Sequence, residues 1–188
     1  MTPGPDRCTA HRRFMRIDAA FRAGDLGALR TAVEDPDLLP NGPLPPEIGN
    51  CLEYAIYHSP LAFVRTLLEL GADPDPEEHA GFPPLIAALS CSRSRPGAPG
   101  RKDVAELLGL LLAHGADPNR RGLNDWTALH MAVAERNAQA VRVLLEGGAD
   151  PRLRTRIDDC ETPREMALVV GLDEIARLLA AREAERGG

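Results

Sequence analysis

The tetrapeptide Gly-Ala-Asp-Pro occurs three times, at residues 71–74, 115–118 and 148–151, each time shortly after an apolar run that contains two adjacent leucines. The last two copies are 33 residues apart and the first two are 44 apart, a surplus of 11 that residues 92–102, rich in Ser, Arg, Pro and Gly, account for. Self-similarity at this period marks small supersecondary units that cannot bury an apolar face alone and must stack on their neighbours. With 44% hydrophobic and 27% charged residues the composition is ordinary for a soluble protein, and only 4% of residues are aromatic while Leu and Ala recur. That balance suits small-residue packing between short helices, so the expected fold is all-α.

The clearest unit begins at Asp125-Trp126-Thr127 and ends at Pro151. Thr127 is an expected N-cap, and Leu129, Ala132 and Val133 follow at helical spacing, giving one apolar stripe. Val141, Leu144 and Leu145 form a second stripe, and Gly147-Gly148 ends that helix because glycine readily takes the left-handed conformation of a C-cap. Sliding the template back one unit superposes Leu85, Ala88 and Leu89, then Leu108, Leu111 and Leu112; a further step finds Leu52, Ala55 and Ile56, then Val64, Leu67 and Leu68.

Thr127-Ala128-Leu129-His130 resembles the Thr-Pro-Leu-His helix opening of ankyrin repeats, and the Leu-Leu-x-x-Gly-Ala-Asp ending resembles theirs too. The likeness extends to Arg22-Ala23-Gly24-Asp25 as an inter-helix turn and to Thr162-Pro163 with Gly171 in a last unit. The expectation is an all-α ankyrin-repeat solenoid of about five helix-turn-helix repeats. Residues 1–10 would be a disordered tail and 11–185 a single domain, with units near 11–40, 41–75, 76–119, 120–153 and 154–185 and a loop insertion at 92–102. Arg164 replaces the family's buried leucine, which fits a C-terminal cap whose outer face meets water. Ser59-Pro60 places a proline at the first position of the next helix. The proline-rich residues 38–46 imply an irregular second unit.

Little in the chain points to catalysis. It has no Gly-rich phosphate loop followed by Lys-Ser or Lys-Thr and no Gly-x-Ser-x-Gly elbow. Cys8, Cys51, Cys91 and Cys160 are scattered, and His11, His58, His79, His114 and His130 fall in different units, so neither metal-ligand spacing nor a disulfide framework is present. Cys91 with His79 and the acidic last hairpin is the only composite enzyme site to consider. In the resembling family the histidine equivalent to His130 bonds to the adjoining loop, so His130 is expected to be scaffolding. Arg152, Arg154 and Arg156 precede Asp158, Asp159 and Glu161, and mutual compensation on a solvent-facing hairpin explains both groups.

The resemblance implies that a partner lies on a concave face of hairpin tips and first-helix ends. Mapped here, the protein-binding candidates are Arg121, Leu123, Asn124, Trp126 and Glu135 on one unit, Glu77, His79 and Phe82 on the unit before, Tyr57 and His58 on the second, and Arg154 and Asp158 on the last. Tyr57, Phe82 and Trp126 would form an aromatic centre, with Trp126 leading. Within the insertion, Arg93, Arg95 and Arg101 would anchor a contacting arm. A net charge of −6 opposes a broad basic surface, so the partner would be another protein and not nucleic acid. No stretch reaches the roughly 20 apolar residues of a membrane span. The expected protein is cytoplasmic, monomeric alone, without catalytic residues, metal or cofactor, and acts as an adaptor or as the dedicated inhibitor of one enzyme or toxin, with a self-associating structural module as the remaining alternative.

Overall fold

A computed structural model describes residues 7–76, 82–92, 100–122, 125–156 and 160–185. Among these, ten α-helices and one short 3-10 turn make up the regular structure. The chain divides into two compact units, Met1–Pro74 and Asp75–Gly188. The division falls at the end of the first Gly-Ala-Asp-Pro segment, and the repeat pattern runs on either side of it.

The first unit holds two helix pairs, α1 (Arg7–Ala23) with α2 (Leu26–Ala32) and α3 (Cys51–His58) with α4 (Leu61–Glu69), and α1 packs on α3. Cys8, Thr9 and Ala10, expected in a tail, are helical. Arg12 supports this opening turn, its guanidinium reaching the Cys8 carbonyl at 3.3 Å and the thiol at 3.4 Å. Gly24-Asp25 is the inter-helix turn, and the Asp25 carboxylate caps α2 by accepting from Ala28 N–H at 2.9 Å. Pro60 occupies the N-cap of α4, one residue earlier than the spacing suggested. Pro36–Leu38 forms the 3-10 turn between α2 and α3, just ahead of the proline-rich stretch.

Three of the chain's seven Phe, Tyr and Trp residues converge in this unit's core. Fully buried Phe21 meets Tyr54 edge-on at 5.0 Å and Phe63 at 5.8 Å, an arrangement that adds quadrupole attraction to area burial. Three rings thus supply volume that small-residue stripes alone do not, beside a hairpin whose prolines prevent regular pairing.

The second unit contains three pairs: α5 (Pro84–Ser90) with α6 (Val104–Ala113), α7 (Ala128–Ala134) with α8 (Ala138–Glu146), and α9 (Pro163–Val169) with α10 (Asp173–Glu185). Helix α7 contacts α5 and α9, while α8 contacts α6 and α10, so the helices form two parallel layers. The stripes read from the sequence are the seam: Leu89, Leu108, Leu111, Leu129, Ala132, Val133, Val141 and Leu144 are wholly buried. Gly71, Gly115 and Gly148 close the second helices of their pairs, and Gly171 closes the first helix of the last pair, with φ between 71° and 98°. No atom lies within 4 Å of a Cβ added at these positions, so backbone handedness and not space demands glycine there.

Replacing Phe21 by Ala is expected to destabilise the first unit by about 3–5 kcal/mol. Urea unfolding followed by circular dichroism checks this, with the exposed-face change Ala19→Ser as the near-neutral control.

Candidate protein-binding surface

In the second unit, side chains from one repeat satisfy the hairpin backbone of an adjacent one. Asn119 Oδ1 accepts from Asp150 N–H at 2.8 Å, Arg121 donates to the Arg154 carbonyl at 2.9 Å, and Arg120 donates to the Asp75 and Pro76 carbonyls at 2.9 Å. Asn41 does the same inside the first unit, accepting from Asp73 N–H at 3.0 Å and donating to the Gly71 carbonyl at 2.8 Å. Both asparagines follow a proline, and that shared Pro-Asn dipeptide is the overlooked sequence signal.

Asp125 is the hub of this network. Its φ of 62° places it in the left-handed region that Asp tolerates better than most side chains, within a turn where Gly122 N–H reaches the Trp126 carbonyl at 2.8 Å. The carboxylate accepts from Arg156 Nη2 at 2.6 Å, Arg156 Nε at 2.9 Å and Arg121 Nη1 at 2.9 Å, and also from the Arg156 backbone N–H. The Arg156 bonds, with Arg121 close by, hold its pKa below the usual carboxylate range despite burial. Arg154 is bidentate on Glu165 at 2.6 and 2.8 Å, and Arg152 meets Asp150 at 3.3 Å. The basic triplet therefore pairs with the preceding hairpin, with α9 and with its own loop. Asp158 and Asp159 lie outside the described residues, and the Glu161 contacts are made by its backbone carbonyl.

His130 ties its repeat to the next. Thr127 N–H donates to Nδ1 at 3.2 Å, so the ring hydrogen sits on Nε2, 3.1 Å from the Glu161 carbonyl. The Thr127 hydroxyl lies 2.9 Å from the same Nδ1. Burial drives the ring's pKa down, the Glu161 carbonyl opposes that, and the Arg121 charge adds to it. A neutral ring is the form this geometry uses.

The sequence candidates separate into distinct groups. Trp126 is half-buried and Phe82 is 40% exposed, both in the second unit, whereas half-buried Tyr57 and exposed His58 belong to the first. Arg121 is occupied by Asp125 and the Arg154 carbonyl, so its guanidinium is a hairpin tie. Glu135 accepts from Ser92 Oγ at 2.9 Å, and Arg154 stays exposed beside Glu165. Leu123, Asn124, Glu77, His79 and Asp158 lie outside the described residues, as do Arg93 and Arg95; Arg101 pairs with Asp103 at 2.9 Å. Cys91 is half-buried with its thiol 3.2 Å from the Ala87 carbonyl.

Two residues were missed. The helix ends that carry Ser90-Cys91 on α5 and Ala134-Glu135 on α7 carry Val169-Val170 on α9, and these valines are 75% and 45% exposed. Sliding the template forward as well as back would have found them.

In the first unit, Asp18 accepts from Tyr54 Oη at 2.7 Å and from Arg22 Nε at 2.8 Å, while the His58 ring lies 4.3 Å from that of Tyr54. Burial works against the Asp18 carboxylate, but Arg22 and Tyr54 hold its pKa below the usual range. Burial and then Asp18 push the Tyr54 hydroxyl well up. His58 is lowered by desolvation against its neighbours and by Arg22. Cys51, buried in α3, is pushed up to about 12 and is chemically inert.

Both lowered imidazoles are neutral in the folded chain, so unfolding takes up protons as pH falls. Their stabilisation is complete above the ordinary value of about 6.5 and is lost as pH drops through their depressed values. Tm should therefore fall between neutral pH and mild acid. In His130→Gln the dependence should shrink to the part due to His58, and the variant should lose about 1–3 kcal/mol at neutral pH from unsatisfied backbone groups. Differential scanning calorimetry across that pH range measures both.

The family model for ankyrin repeats matches residues 97–186 in three copies. A protein of Treponema pallidum (strain Nichols) named for its ankyrin repeats is 43% identical over 58 residues, covering 31% of this chain and 18% of that protein. The potassium channel AKT1 of Oryza sativa subsp. indica is 39% identical over 79 residues, 42% of this chain and 8% of the channel. The E3 ubiquitin-protein ligase KEG of Arabidopsis thaliana is 28% identical over 120 residues, 63% of this chain and 7% of the ligase. The chain thus spans a small part of these much longer relatives. Three matched repeats, helices closed by left-handed glycines and a histidine that bonds across to the next loop identify residues 97–186 as ankyrin repeats, and Gly71 closes α4 in the same way ahead of the match.

Proposed function

We propose that the chain is a non-catalytic cytoplasmic scaffold that holds another protein against its second unit, along the hairpin tips and the C-terminal ends of α5, α7 and α9. Ankyrin repeats mediate protein–protein interaction, and the observation that carries the reading here is the set of ties between successive hairpins. They fix the hairpin backbone beside half-buried Trp126 before a partner arrives, so little conformational entropy is lost there on binding. Exposed apolar side chains with paired charges on the hairpins match the mix of apolar and polar surface in a protein interface. No helix among the described residues is long and apolar enough to cross a membrane.

Arg121 belongs to the supporting network, so Trp126 and Val169 are the appropriate probes. In affinity capture from native cell extract, the folded double variant Trp126→Ala, Val169→Asp should retain at least about tenfold less of the principal partner than wild type, since truncating a central aromatic alone typically costs about 2 kcal/mol or more. An identical set of captured proteins would refute the surface. Substrate turnover that disappears in Cys91→Ala would refute the non-catalytic reading.

A further inference from the structure

The stacking register of the second unit leaves one position uncovered. Counted from the N-caps Pro83, Thr127 and Thr162, the sixth residue along is Leu89, Val133 and Leu168 in turn. Leu89 and Val133 are wholly buried, on helices against which the next pair packs, α7 on α5 and α9 on α7. Leu168 holds the same place on α9 and is 54% exposed. The second position behaves alike, with Leu85 and Leu129 buried and Arg164 standing there in the last pair. Leu168 lines two shallow clefts on this outer face, of about 400 and 450 Å³. In the larger cleft the charges are matched internally, Arg164 with Glu183 at 3.0 Å and Arg154 with Glu165 at 2.6 Å. The smaller is lined by Ala176 and Ala180 and carries Asp173 and Arg177, one turn apart on α10. Neither of those two side chains forms an ion pair among the described residues; Arg177 Nε donates instead to the Asp173 backbone carbonyl at 3.2 Å.

We propose that this face joins two copies of the chain about a two-fold axis, the α9–α10 pair of one against that of the other. Inside the stack, what covers Leu89 and Val133 is another two-helix layer, and a second copy supplies such a layer with its own Leu168. A two-fold contact is self-complementary: where one residue meets another across it, the reciprocal contact is made as well. Asp173 and Arg177 meet that condition when the two α10 helices run antiparallel, because each carboxylate then faces the other copy's guanidinium. A cation and an anion in one cleft, each without an ion-pair partner, match a surface of the same composition. A wholly acidic or wholly basic partner would repel one of them. The face shares no residue with the surface proposed above, so a pair of chains carries two copies of that surface, the condition for avidity. Two short helices present a small area, and the association is weak and concentration-dependent.

Sedimentation of the full chain under reducing conditions, over a wide range of concentration, reads the association directly. Wild type is expected to move from the mass of one chain toward that of two as concentration rises, less so at high salt. Leu168→Glu, and the reversals Asp173→Arg and Arg177→Asp made singly, should each weaken association by at least about tenfold, the reversals because they set like charges opposite one another. Mixed in equal amounts, the two reversed variants should associate again, since two arginines on one copy then face two aspartates on the other. That recovery also shows that both variants are folded. Trp126→Ala should sediment as wild type does, which separates this face from the partner surface. A wild-type chain that stays monomeric throughout, a dimer that survives Leu168→Glu or either single reversal, or reversed variants that stay apart when mixed would overturn the inference.

Discussion

Among the described residues of the second unit, backbone polar groups at the hairpins are satisfied by side chains from a neighbouring repeat, and the placement of the hairpin tips depends on that exchange. Apolar stripes hold the helices together, but burial is non-directional and tolerates sliding. Asn119 on Asp150, Arg121 on the Arg154 carbonyl and His130 on the Glu161 carbonyl convert adjacency into register. Because each tie spans one repeat, order is passed on by nearest neighbours, the energetic pattern of repeat proteins.

The helices and their seams were legible in the sequence because both follow short-range periodicity. Thr127, Thr162 and Asp25 announce helix starts through capping chemistry, and the glycine-marked corners announce the ends. Pairings between hairpins were much less legible. Arg156 and Asp125 are 31 residues apart, and they meet only because Asp125 adopts a left-handed conformation that turns its carboxylate toward the next tip. Read locally, the same arginine faced the acidic residues that follow it. Arg121 was misread for a related reason: an exposed-looking cation in a hairpin gives no sign that a carbonyl of the next repeat awaits it.

In the first unit the physical solution differs. Its hairpin region is rich in proline, and its core gathers Phe21, Tyr54 and Phe63 where the second unit relies on leucine and alanine. Edge-to-face aromatic contacts are directional, so they restore some of the geometric definition that an irregular hairpin surrenders. The Asp18–Tyr54 hydrogen bond fixes the same ring from its polar end.

The junction of α5 and α6 has a different kind of consequence. Arg101 N–H donates to the Cys91 carbonyl at 2.8 Å, so the surplus residues of the third repeat leave and re-enter the stack through one clasped stem. Beyond that clasp, chain length is nearly decoupled from the layers beneath, because doubling a closed loop adds only about 0.6 kcal/mol of closure entropy. The site is therefore a natural port for variation, where new recognition elements can be grafted or lost while the underlying architecture stays the same.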